Sequence, residues 1–343
     1  MAYTTIKKPS DYFNTKLYTG NGSTQSITGV GFQPDFTWIK ARSAIRDHNL
    51  YDNVRGATKW LDSQQTMAED TFTNGLTSFD SDGFSVGNLI KSNNNSETYA
   101  SWNWLASNTT ASNTDGSITS TVSANTTSGF SIVSYTGTGA NATVGHGLGS
   151  APKMIIVKER DNANNWVVYH SSLGATKQLI LNETDAEASF TVTWNDTEPT
   201  SSVFSVGTNL ATNRSGGGLI AYCFAEVKGF SKFGTYTGNG NADGTFIYTG
   251  FKPAFVMVKR TDTTNAWLMH DIKRSTLNPM DNQLFANTSG TEDTTSTNNN
   301  FDFLSQGFKC RNTGGAYNAS GGTYIYMAFA EEPLVGDNPA TAR

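Results

Sequence analysis

One unit is written three times along this chain. The Tyr-Thr-Gly strings at Tyr18, Tyr135 and Tyr236 are each followed, about sixteen residues on, by a proline, Pro34, Pro152 and Pro253. Each proline opens an apolar stretch that ends at Lys40, Lys158 and Lys259, six positions on. Fourteen residues past the prolines come His48, Trp166 and Trp267. The first two copies share Gly-Ala-Thr-Lys-x-Leu at 56–61 and 174–179, then the glutamates Glu69 and Glu187; the third matches with Glu292, four places later. Every copy closes on an aromatic stretch around Trp102 and Trp104, Tyr222 and Phe224, or Met327 and Phe329. Landmarks in one order across three copies require one local fold, made three times.

The prolines lie 118 and 101 residues apart. Such a unit is too long for a propeller blade, at about 40–50 residues, and matches a small sandwich. Phe36 and Trp38, Trp102 and Trp104, and Tyr222 and Phe224 alternate in strand fashion. Turn sequences such as Gly20-Asn-Gly22 and Asn239-Gly240 separate them. The expected class is all-β, three tandem antiparallel sandwiches or jelly rolls. Their expected bounds are 15–106, 129–228 and 229–334, with an N-terminal arm at 1–14 and a tail at 335–343. The Ser/Thr/Asn-rich stretch 107–128 reads as a linker with at most one weak strand. Copies two and three, lacking such a spacer, are expected to pack as the tighter pair. Residues 54–69 are the best helical candidate.

Composition narrows the function. Charged residues make up 15% of the 343 and the net charge is −5, with no basic cluster beyond Lys7-Lys8; a nucleic-acid partner is not expected. No apolar stretch has the length of a membrane helix, and no secretory leader is visible at the start. The expectation is a chain made in the cytoplasm, with no membrane insertion. Cys223 and Cys310 read as buried free thiols, too few for a zinc site.

Candidate chemistry is sparse. Gly145-His-Gly-Leu-Gly149 falls on a strand-entry turn and has no Gly-Lys-Ser/Thr. Asp80-Ser-Asp-Gly83 resembles the start of a calcium loop, but Lys91 stands where its twelfth residue would be a glutamate. A turn is the expected reading, with a surface calcium site as the alternative. His48, His146, His170 and His270 hold non-equivalent repeat positions. Glu69, Glu187 and Glu292 recur, which suits a carboxylate satisfying backbone N–H groups; no second recurring carboxylate makes a glycosidase pair. No catalytic residue, metal or cofactor is expected. Trp166, Trp267 and His48 are the candidate glycan-binding residues, by stacking on sugar rings, with burial between sheets as the alternative.

The segments Tyr18-Thr-Gly-Asn-Gly22, Ile27-Thr-Gly-Val-Gly-Phe-Gln-Pro-Asp35, Trp38-Ile-Lys40, Val54-Arg-Gly-Ala-Thr-Lys59 and Phe79-Asp-Ser-Asp-Gly-Phe84 resemble tandem-repeat virion proteins of marine tailed phages. The resemblance spans most of 15–334 and implies concanavalin A-like, lectin-like sandwiches. It implies a non-enzymatic virion structural protein, an external tail fibre or appendage subunit whose loops contact host surface glycan or a neighbouring subunit. A capsid decoration protein is the alternative, and a polysaccharide-degrading enzyme a more distant one. Expected partners are other virion proteins and further copies of the chain, as a homotrimer by analogy with fibres, on the particle surface.

Overall fold

The computed structural model describes residues 4–295 and 300–341. Strands dominate, and the named strands pair antiparallel throughout. The large sheet of the first repeat runs Phe13–Thr19, Thr98–Trp104, Phe36–Ala41, Asn49–Asp52. The second repeats that order with Phe130–Thr136, Gly218–Phe224, Met154–Glu159, Val167–His170, and adds Lys177–Ile180. The third has Ser231–Thr237, Thr323–Pro333, Phe251–Arg260, Leu268–Asp271 and Leu284–Phe285. Each repeat also has a small sheet, three-stranded and centred on Gly83–Val86 or Gly307–Cys310 in the first and third, and two-stranded, Ala142–Gly145 with Val203–Val206, in the second.

The Tyr-Thr-Gly motif joins the large sheet to the loop before its closing strand. The buried hydroxyls of Tyr18, Tyr135 and Tyr236 donate to the carbonyls of Ser92 (2.6 Å), Thr212 (2.7 Å) and Tyr317 (2.7 Å). One residue on, the buried amides of Asn93, Asn213 and Asn318 each accept the N–H that follows the motif, from Asn21, Thr138 and Asn239. The motif glycine is required by proximity. A Cβ on Gly20, Gly137 or Gly238 would lie 2.1–2.3 Å from the carbonyl oxygen of Asn94, Arg214 or Ala319.

The large sheets are buried on both faces. Phe36–Ala41 and Met154–Glu159 have no exposed residue. Alternate residues Ile39 and Tyr99 pack toward the first repeat's small sheet with Ile27, Leu76 and Phe84. The other set, including Phe36, Trp38, Trp102 and Trp104, enters a core shared by all three repeats, with Ile156, Phe224, Met257 and Phe329 among its members. Trp104, Phe224 and Phe329 hold the same position in their closing strands and meet pairwise, with ring centroids 5.7–6.3 Å apart. Burial of side chains of this size contributes about 1.5–3 kcal/mol each. The remaining central void, about 10 Å³ and lined wholly by apolar side chains, is too small for a ligand.

Three local expectations are corrected. Residues 107–128 are not a free linker: Ala111–Asn113 and Ser120–Asn125 extend the second sheet to eight strands. Residues 54–69 contain no helix: Lys59–Trp60 is a short strand, and the main chain of Asp62, Thr66 and Glu69 is hydrogen-bonded to the second repeat; the helices are single turns such as Ile90–Asn93 and Leu210–Asn213. The N-terminal arm is seated on the body, with Ile6 in the shared core and Phe13 already in the first strand. Among the described residues, no helix is long and apolar enough to cross a membrane.

Candidate functional site

The residues singled out by their recurrence converge on the seams between repeats. Trp166 Nε1 donates to the Asp62 carbonyl of the preceding repeat (2.6 Å), and Trp267 Nε1 to the Ile180 carbonyl (3.0 Å). His48 takes the same place in the first repeat and reaches the Phe285 carbonyl of the third (3.0 Å). Its other ring nitrogen accepts from Trp38 Nε1 (2.8 Å), so Nε2 carries the proton and donates. The recurring lysines follow the same cycle. Lys158 Nζ donates to the Thr66 carbonyl (3.2 Å), Lys259 Nζ to Thr184 (3.2 Å) and Lys40 Nζ to Gly290 (2.7 Å). The N–H groups of Glu69, Glu187 and Glu292 donate the other way, to the carbonyls of Arg160 (2.7 Å), Thr261 (2.8 Å) and Arg42 (2.8 Å). Repeat one thus joins two, two joins three, and three returns to one: a head-to-tail contact that closes. Copies two and three are therefore one of three comparable seams, not a privileged pair.

This placement removes the three candidate glycan-binding residues from solvent. Trp166 and His48 are 0% exposed and Trp267 is 1% exposed. No sugar ring can stack on them, and the burial alternative describes them. The glutamates serve as ionic links in two seams. Glu69 accepts both Nε and Nη2 of Arg160 (2.9 and 2.8 Å), and Glu292 accepts Nε and Nη2 of Arg42 (3.0 and 2.7 Å). Thr261 stands where an arginine would face Glu187, which pairs instead with Lys177 in its own repeat. Burial alone would raise the Glu69 carboxyl, but the guanidinium groups of Arg160 and Arg55 outweigh it and hold it below the usual range.

Behind each ionic seam lies a deeper pair. Arg55 is fully buried, donating to Asp52 Oδ2 (2.5 Å), the Leu50 carbonyl (2.9 Å) and Glu69 (3.1 Å), while Tyr222 of the second repeat donates to Asp52 (2.8 Å). Arg274 and Asp271 repeat this in the third copy, where Trp102 Nε1 of the first donates to Asp271 (3.0 Å). The second copy has His170 in the aspartate position, its Nε2 3.3 Å from the Tyr326 carbonyl. Burial drives His170 down to about 4 and both His48 and His270 to about 3; these imidazoles are neutral at pH 7.

The buried lysines make the ring sensitive to pH. Burial lowers Lys40, Lys158 and Lys259 from 10.5 to about 8. Above pH 8 the folded chain holds fewer protons on them than the unfolded chain, so stability rises with pH until they titrate in the unfolded state as well. The two buried thiols, both pushed up, oppose this as pH nears 9. Three lysines outweigh two cysteines. Urea denaturation should give a higher unfolding free energy at pH 8.5 than at 7.5, and Lys158→Met should reduce that difference; an equal or falling value contradicts the assignment.

Other candidates resolve into turns and core. Asp82 accepts the N–H groups of Gly29 (2.9 Å) and Gly31 (2.7 Å), and Asp80 accepts the hydroxyls of Ser78 and Ser85. Among the described residues no three His, Cys, Asp or Glu side chains are grouped to hold a metal. Cys223 and Cys310 are buried free thiols.

One of the open surface grooves, of about 380 Å³, lies beside the third repeat's small sheet. Its walls include Glu226, Lys228, Ser231, Lys232, Tyr248 and Thr249. Lys232 Nζ meets Glu226 Oε1 at 2.7 Å. Tyr248 is 54% exposed, on the short strand Phe246–Tyr248, which pairs along one side only. At the same register the first two repeats have Thr28 and Gly145. Only the strand register shows this, because aligning the turns Thr28-Gly29 and Thr249-Gly250 would set Tyr248 opposite the buried Ile27.

No curated protein and no solved structure matches this chain. A family described as a domain of unknown function, DUF7483, matches residues 8–333 without a break between the repeats, and the chain belongs to that family.

Proposed function

We propose that the protein is a non-enzymatic structural part of a tailed-phage particle, an external fibre or appendage subunit. On this reading it consists of three concanavalin A-like sandwiches closed around one axis. The observation that carries it is where the recurring polar residues go. Glu69, Glu292, Lys40, Lys158 and Lys259 all link one repeat to the next, as expected of a rigid building block rather than of three copies of an active site. The resemblance of the first repeat to marine phage virion proteins supplies the particle. Partners would be other virion proteins; a homotrimer would form through outer faces, since the head and tail of every repeat meet within the chain.

Immuno-gold labelling of particles with antibody against the purified protein tests this. Gold on tails or appendages is the expected result. Gold confined to the shell would replace the fibre reading with a decoration protein, and unlabelled particles would remove the virion reading altogether.

A further inference from the structure

We infer that the groove beside Tyr248 is a saccharide-binding site. The first argument is that the fold does not need the aromatic ring. Tyr248 occupies a register position filled by Thr28 and Gly145 in the other repeats, and Phe246, 46% exposed two residues earlier on the same face, stands where they have Ser26 and Thr143. The buried residue between them, Ile247, matches Ile27 and Val144 and does the packing. An aromatic pair facing solvent on an edge strand is a liability for self-association; only the third repeat has one.

The second argument is the chemistry of the groove. A sugar ring offers an apolar C–H face and a rim of hydroxyls. The Tyr248 ring supplies a flat apolar surface with a polar tip. The Lys232–Glu226 pair supplies a charged donor and a charged acceptor 2.7 Å apart, both partly accessible, which suits neighbouring hydroxyls that donate and accept at once. Past Lys228 the surface continues as a second open groove, walled by Thr4, Thr5, Thr126, Thr127 and Ser150, with room for further sugar units. The chain's net charge of −5 disfavours a phosphate backbone in the same place.

This site rests on the reading of an externally placed protein, but its test does not. Purified full-length chain is applied to an array of neutral hexose, N-acetylhexosamine and uronate oligosaccharides, beside Tyr248→Thr and a control, Phe190→Ser, at an exposed ring of the second repeat. Tyr248→Thr installs the first repeat's own residue, so it should fold; its urea midpoint verifies this. The expected result is binding to at least one class, reduced about tenfold by Tyr248→Thr, the scale of one lost stacking contact, and unchanged by Phe190→Ser. No binding by the native chain, unchanged binding by Tyr248→Thr, or an equal loss from Phe190→Ser overturns the site. A failure of particle labelling leaves this result standing, and a failure here leaves the particle assignment standing.

Discussion

Trp104→Ala is expected to destabilise all three repeats together, by about 3–5 kcal/mol, the range for truncating a large buried aromatic. The Trp104 ring lies within 4.9–6.4 Å, centroid to centroid, of Phe13 and Phe36 in its own repeat, Phe130 and Phe224 in the second, and Phe255 and Phe329 in the third. Removing it opens a cavity on the axis that no single repeat can close alone. Chemical denaturation followed by both fluorescence and circular dichroism should show one transition moved to lower denaturant. Two transitions, with only one displaced, would mean that the repeats are independent beads. Trp104→Phe is the informative control. The second and third repeats already have phenylalanine there, and the buried Trp104 Nε1 has no hydrogen-bond partner among the described residues, so the smaller ring removes an unpaired N–H as well as volume. Its effect should be well below that of alanine.

Arg55→Ala is expected to cost a comparable amount, about 3–5 kcal/mol, because it leaves a buried carboxylate without its partner. Asp52 is wholly buried and would keep only the residue-55 backbone N–H (2.8 Å) and the Tyr222 hydroxyl (2.8 Å) as donors. Glu69 would lose one of its two guanidinium partners, weakening the seam with Arg160. The double change Asp52→Asn with Arg55→Leu removes both charges and should cost less than the single one. Leu173 at the arginine position of the second repeat shows that the fold accepts an apolar residue there. Thermal unfolding of the two variants side by side decides the point; a double variant less stable than Arg55→Ala would mean that the ion pair itself stabilises the ring.

Much of the architecture is legible in the order of the amino acids. The Tyr-Thr-Gly motif, the prolines and the closing aromatic strands locate three equivalent sheets. Burial on both faces is less plain: alternation such as Phe36 and Trp38 suggests half-buried strands, while the unbroken runs Met154-Ile-Ile-Val157 and Phe255-Val-Met-Val258 suit strands covered on two sides. The buried asparagines Asn93, Asn213 and Asn318 are harder to see, because Asn is abundant and their surroundings differ: Ser-Asn-Asn, Thr-Asn-Arg and Tyr-Asn-Ala. Stretch 107–128 reads as a linker and folds as strands because Ser, Thr and Asn suit a solvated edge strand as well as a free connection.

By itself, then, the sequence determined the repeated unit, its strands and the positions that matter in each. It did not determine what those positions face. Alternation along a strand states which side chains share a side of the sheet, and nothing about what packs against that side. Only the closure of three sheets on one axis decided that Trp166, Trp267 and His48 would be sealed between repeats instead of meeting solvent. The same closure made ion-pair partners of Glu69 and Arg160, 91 residues apart. It also left Tyr248, whose Tyr-Thr-Gly string matches the motif of the buried Tyr18, Tyr135 and Tyr236, as an exposed aromatic wall beside a polar groove.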